Sequence, residues 1–234
     1  IGCRRCGGGL AGAPWTSNVS EGMRIALGRE PDLVIFDGSG AAIPPVATRK
    51  RVLVASAQQP PELVVGYLNA YRILLSDLVV LTMAEEGTDH GRLADAIHEV
   101  NDIPVVATVL RPRPVEPIDG KRVAFFTTAA AEAAERLERH LVEEHGAAEV
   151  TVSCNLSRRD ELRRDLESAE ADVFLVEIKA AAIDVVCEAA RESGTAVVFA
   201  DNDVVPLEGQ PNLDDELRAL ADVARAEPET ETVA

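Results

Sequence analysis

Asp37-Gly38-Ser39-Gly40 closes the apolar run Leu33-Val34-Ile35-Phe36, and this junction is the first place where chemistry is expected. Four consecutive apolar residues read as a strand over Asp32–Asp37 buried on both faces, as in a parallel sheet. In open α/β sheets, ligands bind beyond the carboxyl ends of the strands, where Asp37 then sits. A carboxylate there suits Mg²⁺, or a water bound to it, beside a nucleotide phosphate. Gly38 and Gly40, flanking Ser39, let the backbone approach phosphate oxygens that a Cβ would block. The plainer reading is a buried strand whose Asp37 caps the next turn.

A second cluster is Cys3-Arg4-Arg5-Cys6-Gly7-Gly8-Gly9. Gly7, Gly8 and Gly9 can aim several backbone N–H groups at one anion. Arg4 and Arg5 can grip phosphate oxygens bidentately. A flexible glycine-rich loop is the alternative. The segment is not a Walker A loop, because the spaced Gly-Lys-Ser/Thr is missing here and in the rest of the 234 residues. Any main phosphate cradle is therefore expected upstream. Cys3 and Cys6 have the spacing of half a zinc site, but no second pair or spaced histidine pair accompanies them.

Two further cations stand out. Lys179, in Glu177-Ile178-Lys179, follows a buried strand, so Glu177 and Lys179 are both expected at a carboxyl-end crevice. Lysine there is a point charge for phosphate, with a Glu–Lys surface pair as the alternative. Arg72, near a helix end, can turn toward the same crevice or simply complement its helix dipole. Arg158, Arg159, Arg163 and Arg164 share a helix with Asp160, Glu161 and Asp165, which favours ion pairs along that helix. Asp201-Asn202-Asp203 reads most simply as a cap.

These groups need elements to hold them. The alternation predicts a helix around Glu21–Leu27 and strands over Asp32–Asp37, Arg51–Ser56, Asp77–Thr82 and Pro104–Leu110. Helices fall within Pro61–Ser76 and over His90–Val100. Pro112, Pro114 and Pro117 forbid a helix and predict a stiff linker over 112–119. Beyond it, strands at Arg122–Thr127, Glu149–Cys154, Asp172–Lys179 and Thr195–Ala200 alternate with four helices. Those helices cover Ala129–His145, Arg158–Ser168, Ile183–Glu192 and Leu213–Ala226. Such alternation implies parallel βαβ units and a small doubly wound domain over 120–226. Residues 1–111 form the first domain, and the acidic tail 227–234 is expected to be disordered.

Forty acidic against 23 basic residues give a net charge of −17, which opposes nucleic acid and anionic lipid as partners. No stretch reaches eighteen apolar residues, and no signal pattern opens the chain, so a reduced cytoplasmic setting is the default. The first residue is Ile1, and the chain reads as the carboxyl-terminal portion of a longer protein.

Four strings in order resemble the cyclic 2,3-diphosphoglycerate synthetases: Cys3–Gly12, Asp37–Pro45, Tyr71–Leu78 and Val176–Ala182. The first half is more distantly similar to dethiobiotin synthetase and related P-loop enzymes. The resemblance implies a P-loop NTPase-like parallel sheet lacking its amino-terminal P-loop part, followed by a Rossmann-like domain. It implies an ATP-dependent ligase that closes 2,3-diphosphoglycerate into a cyclic phosphoanhydride, releasing ADP and phosphate. ATP and Mg²⁺ are the implied cofactors, a homodimer the implied assembly. By motif position Arg4, Arg5, Arg72 and Lys179 are clamps and Asp37 the magnesium-side carboxylate. Gly7, Gly8, Gly9, Gly38, Ser39 and Gly40 line the nucleotide. Without its Walker A part the fragment is expected to be inactive alone. The alternatives are a carboxylate or carbamate ligase of the dethiobiotin type, and a module over 120–226 that binds an anionic metabolite without turnover.

Overall fold

Strand alternation sorts the buried residues onto two faces, and in both halves of this α/β protein each face is covered by helices. The computed structural model describes residues 5–6, 16–38, 46–178 and 182–226. They divide into two compact units, with unit 1 ending at Val109 and resuming at Pro206, and unit 2 spanning Leu110–Val205.

Unit 1 begins with a short antiparallel pair, β1 (Arg5–Cys6) and β2 (Thr16–Ser17), followed by helix α1 (Val19–Leu27). Its sheet has three parallel strands: β3 (Val52–Ser56), β4 (Leu78–Thr82) and the first half of β5 (Val105–Pro114). Crossover helices α2 (Pro61–Val64), α3 (Leu68–Leu74) and α4 (His90–His98) cover one face. There Val79 and Leu81 of β4 meet Val64, Ile73, Leu93 and Ile97. The alternate residues Leu78 and Val80, with Val106, point to the other face.

Unit 2 has strands β6 (Arg122–Phe126), β7 (Glu149–Ser153), β8 (Val173–Glu177) and β9 (Ala196–Pro206). They run parallel in the order β7-β6-β8-β9. Helix α5 (Ala134–His145) covers the face carrying Val123, Phe125, Val173 and Leu175. Helices α6 (Arg159–Ser168) and α7 (Ile183–Ser193) cover the face of Ala124, Phe126, Phe174 and Val176. Helices on both faces make this unit doubly wound. Gly146 and Gly194 end α5 and α7 in the left-handed region, at φ 69° and 75°, where a side chain would be strained.

Both units use an aspartate to set the amino edge of the sheet. Asp77 accepts the Arg51 N–H at 2.8 Å while its own N–H reaches the Arg51 carbonyl at 2.9 Å. Asp172 does the same for Arg122, and its carboxylate also takes the guanidinium at 2.9 Å. Hydrogen bonds from Arg122 hold the Asp172 carboxyl below the usual carboxylate range.

Three expectations are corrected. Asp32–Asp37 forms no strand: Leu33 is 38% and Ile35 80% exposed. An apolar run becomes a doubly buried strand only between neighbours, and no strand pairs with it among the described residues. Residues 112–114 are not linker, because Pro112 and Pro114 lie within β5. Helix α8 (Leu213–Ala226) does not close the second domain. Its Leu213 and Leu220 cover the Leu78, Val80 and Val106 face of unit 1, which α2–α4 leave bare. The tail 227–234 lies outside the described residues.

His140 gives unit 2 a pH dependence. Its Nε2–H donates to the Pro112 carbonyl at 3.1 Å, and burial pushes its pKa below 6.5. As the pH falls through 6.5 the unfolded chain takes up a proton that the folded form resists. Stability is therefore full above that pH and declines below it, down to the lowered folded pKa. Thermal melts between pH 7.5 and 5 should show this decline, and His140→Gln should flatten it. An unchanged slope in that variant contradicts the assignment.

Candidate functional site

The carboxyl ends of parallel strands are where side chains can converge without blocking the sheet. In unit 1 this edge is stitched by the Ala57 N–H to the Thr82 carbonyl and the Ala84 N–H to the Thr108 carbonyl, at 2.8 and 2.9 Å. Met83, between them, sits at φ 57°. A non-glycine residue in the left-handed region is strained, as are Glu30 at φ 51° and Tyr67 at φ 48°. Sequence gave no warning of it, because methionine has no preference for that region.

Asp37 and Gly38 are both exposed. Asp37 therefore does not terminate a strand, and its expected anchoring at a sheet edge is corrected. No described atom lies within 4 Å of the position a Cβ would take at Gly38. Among the described residues, neither packing nor a positive φ requires glycine there. The remaining expected residues, Arg4, Gly7, Gly8, Gly9, Ser39, Gly40 and Lys179, lie outside the described residues, as does the side chain of Arg5.

Arg72 is at the wrong edge for a carboxyl-end crevice. Helix α3 runs back against the strands as a crossover must, so its end delivers the chain to the start of β4. There Arg72 Nη1 donates to Asn69 Oδ1 at 2.9 Å, and the Arg72 carbonyl accepts the Ser76 hydroxyl at 2.8 Å. Asn101, ahead of β5, donates to the Ile73 carbonyl at 3.1 Å and fixes the same end. The placement of Arg72 in the crevice is corrected accordingly.

In unit 2 the chain order reverses between β6 and β8, which makes the gap beyond their carboxyl ends the topological switch point. Buried Thr127 and exposed Thr128 follow β6, and Glu177 ends β8. Glu177 Oε2 accepts from Thr127 Oγ1 at 3.0 Å, Thr128 N at 2.8 Å and Thr128 Oγ1 at 2.9 Å. Its Oε1 accepts from Asn202 Nδ2 at 3.0 Å. Asp201 and Asp203 do not cap a helix; they lie in β9 and pair with Arg113 at 3.2 and 2.8 Å.

Beside this corner, Asp165 Oδ2 accepts from Ser153 Oγ at 2.6 Å and Asn155 Nδ2 at 2.7 Å. Of the four arginines beginning α6, Arg163 and Arg164 pair along the helix with Asp160 and Glu161. Arg158 instead donates to Asn155, and Arg159 forks onto Asp184 of α7. Burial pushes the Cys154 thiol up, away from nucleophilic use. A groove of about 390 Å³ along Pro114–Asp119 and His145 lies at the amino ends of β6 and β7, opposite the switch point.

Among the described residues no group of three or more His, Cys, Asp or Glu could cage a metal. A lone hard oxygen such as Asp37 fits Mg²⁺, which takes one or two carboxylates and completes its shell with phosphate and water. Among the described residues no helix is long and apolar enough to cross a membrane.

Comparison with known proteins converges on one family. A family model described as cyclic 2,3-diphosphoglycerate synthetase, P-loop domain, matches residues 1–112. A second, the C-terminal domain of the same synthetase, matches residues 114–203. A relative from Rubrobacter xylanophilus named cyclic 2,3-diphosphoglycerate synthetase is 53% identical over 211 residues, covering 88% of this chain and 48% of its own. Relatives of the same name from Methanothermus fervidus and Thermococcus onnurineus are each 41% identical, over 96% and 97% of this chain and 50% and 52% of theirs. The chain thus spans about half the length of the curated relatives it matches. With both domain models matched in order, the chain belongs to the cyclic 2,3-diphosphoglycerate synthetase family.

Proposed function

We propose that the full protein is an ATP-dependent ligase that converts 2,3-diphosphoglycerate to its cyclic phosphoanhydride, with release of ADP and phosphate. The observation that carries this reading is the pair of family models covering both halves of the chain in order. The γ-phosphoryl group of ATP passes to one substrate phosphate. The other substrate phosphate then attacks that activated phosphorus and expels the phosphate just received, which closes the ring. Both steps press anions together, so the protein contributes positioning and charge neutralisation.

Arg4, Arg5 and Lys179 are the proposed clamps on substrate phosphates. The backbone of Gly7, Gly8, Gly9, Gly38, Ser39 and Gly40 is the proposed neighbour of the nucleotide. Asp37 would hold Mg²⁺, which neutralises charge on the β- and γ-phosphates when bound. Arg72 is left out of this set, because α3 holds it at the amino edge. No Gly-Lys-Ser/Thr loop occurs in the 234 residues, so the main triphosphate cradle is assigned to a portion of the full protein outside this chain. A homodimer in the cytoplasm completes the reading.

ADP formation by the full-length protein tests it. Release of ADP should require 2,3-diphosphoglycerate and stop without Mg²⁺. ADP release driven by a carboxylate or carbamate substrate, with no response to 2,3-diphosphoglycerate, overturns it in favour of a dethiobiotin-type ligase.

A further inference from the structure

We infer that Glu177 is a positioning residue of the switch-point crevice, acting through hydrogen bonds and not as a charge that meets substrate. The inference deepens the proposed function and rests on it for the nature of the ligand, a doubly phosphorylated small molecule. A carboxylate at the end of a strand beside a phosphate site is at first sight misplaced, since it repels the ligand. The geometry resolves the conflict. Oε2 is occupied by three donors from Thr127 and Thr128, and Oε1 by Asn202. Four donors spread the negative charge over the hydrogen bonds, and a carboxylate so occupied offers little to a metal.

The four bonds join the carboxyl ends of β6 and β8 to the interior of β9. Thr127 and Thr128 form the corner between β6 and the helical turn leading to α5, Glu177 ends β8, and Asn202 lies on β9. The Ile178 N–H to Ala200 carbonyl bond, at 2.9 Å, continues the same seam along β9. Thr127 is 3% exposed, and Glu177 is the acceptor its hydroxyl uses. The knot fixes the corner of β6 and the last residue of β8, the two strand ends that border the switch point. Loss of the knot therefore frees the exposed Thr128 N–H and hydroxyl to move at the edge of the crevice. Misplacement of a binding group by about an ångström costs on the order of 10²-fold in rate.

Glutamine can keep the pattern. Its carbonyl oxygen accepts the three donors that Oε2 accepts. Its amide donates to Asn202, whose own amide turns to present Oδ1. Alanine keeps none of the bonds. The two substitutions thus separate hydrogen bonding from charge.

The test uses the full-length protein, with ADP release and the affinity for 2,3-diphosphoglycerate as readouts. Glu177→Gln should stay within about threefold of the parent in KM and kcat. Glu177→Ala should raise KM for 2,3-diphosphoglycerate on the order of tenfold or more, with a smaller change in KM for ATP. Asn202→Ala removes a single bond and should move KM in the same direction by less; it keeps the proposal testable if the alanine variant at 177 does not fold. Loss of turnover in Glu177→Gln as severe as in Glu177→Ala overturns the inference, because the charge is then what matters. Unchanged KM in both alanine variants overturns it equally.

Amide hydrogen exchange separates this outcome from failure of the ligase reading. Glu177→Ala should speed exchange at Thr128 and Ile178, and Glu177→Gln should not, whichever substrate the enzyme takes. If the parent protein ignores 2,3-diphosphoglycerate while this exchange pattern holds, the substrate reading has failed and the positioning role stands. If exchange at Thr128 is the same in all three proteins, the positioning role falls.

Discussion

Asp37→Asn in the full-length protein should reduce ADP release by on the order of 10²- to 10³-fold while leaving thermal stability unchanged. The two halves of that expectation have separate causes. Asp37 is exposed, so its replacement removes no packing, and substitutions at such sites shift stability by about 0.5 kcal/mol or less. Asparagine keeps size and one oxygen but lacks the negative charge that a magnesium-side ligand supplies as phosphate charge moves. A fall in melting temperature parallel to the loss of rate would mean that Asp37 is structural. Normal turnover would remove it from the site. Gly38→Ala is the companion measurement: with no described atom near the added methyl, the fold should persist and nucleotide affinity should weaken.

The second large effect lies in the core of unit 2. Phe125 is 2% exposed and packs with Ile118, Leu137, Leu141 and Leu175 between the sheet and α5. Phe125→Ala leaves a cavity that rigid strands on both sides cannot close, and should cost about 3–5 kcal/mol. A domain typically holds only about 5–15 kcal/mol in total, so unit 2 should unfold at much lower urea. Val142→Ala, at a residue 39% exposed on α5, should change the same midpoint little. Equal effects at the two positions would contradict the burial pattern described here.

The sequence was most legible where local pattern alone decides structure. Arg122–Thr127 was expected as a strand and Arg122–Phe126 is one, because Val123-Ala124-Phe125-Phe126 fills both faces of a central strand. It was least legible where a neighbour decides. Leu33–Phe36 has the composition of a buried strand but no pairing partner among the described residues. Pro112 and Pro114 looked like a break. Spaced by two, they place both missing N–H groups on one side of the strand and leave Arg111 and Arg113 to bond on the other, which β5 tolerates. Helix α8 was found with its bounds correct, yet its periodicity could not say which sheet its leucines cover.

The candidate site follows the same division. Glu177 was legible as a strand-end carboxylate by its position after Val173–Val176, but its partners come from Thr128 and Asn202, 49 and 25 residues away. Nothing in local spacing links them. Arg72 was misplaced for the opposite reason. Its helix end was read correctly, but the direction of the helix relative to the sheet puts that end at the amino edge.

Phosphorus magnetic resonance of the full-length protein incubated with ATP, Mg²⁺ and 2,3-diphosphoglycerate tests the central claim most directly. The two monoester signals of the substrate should disappear together, replaced by a coupled pair in the anhydride region, with one ADP and one free phosphate formed per ring. ADP appearing while both monoester signals persist would contradict it.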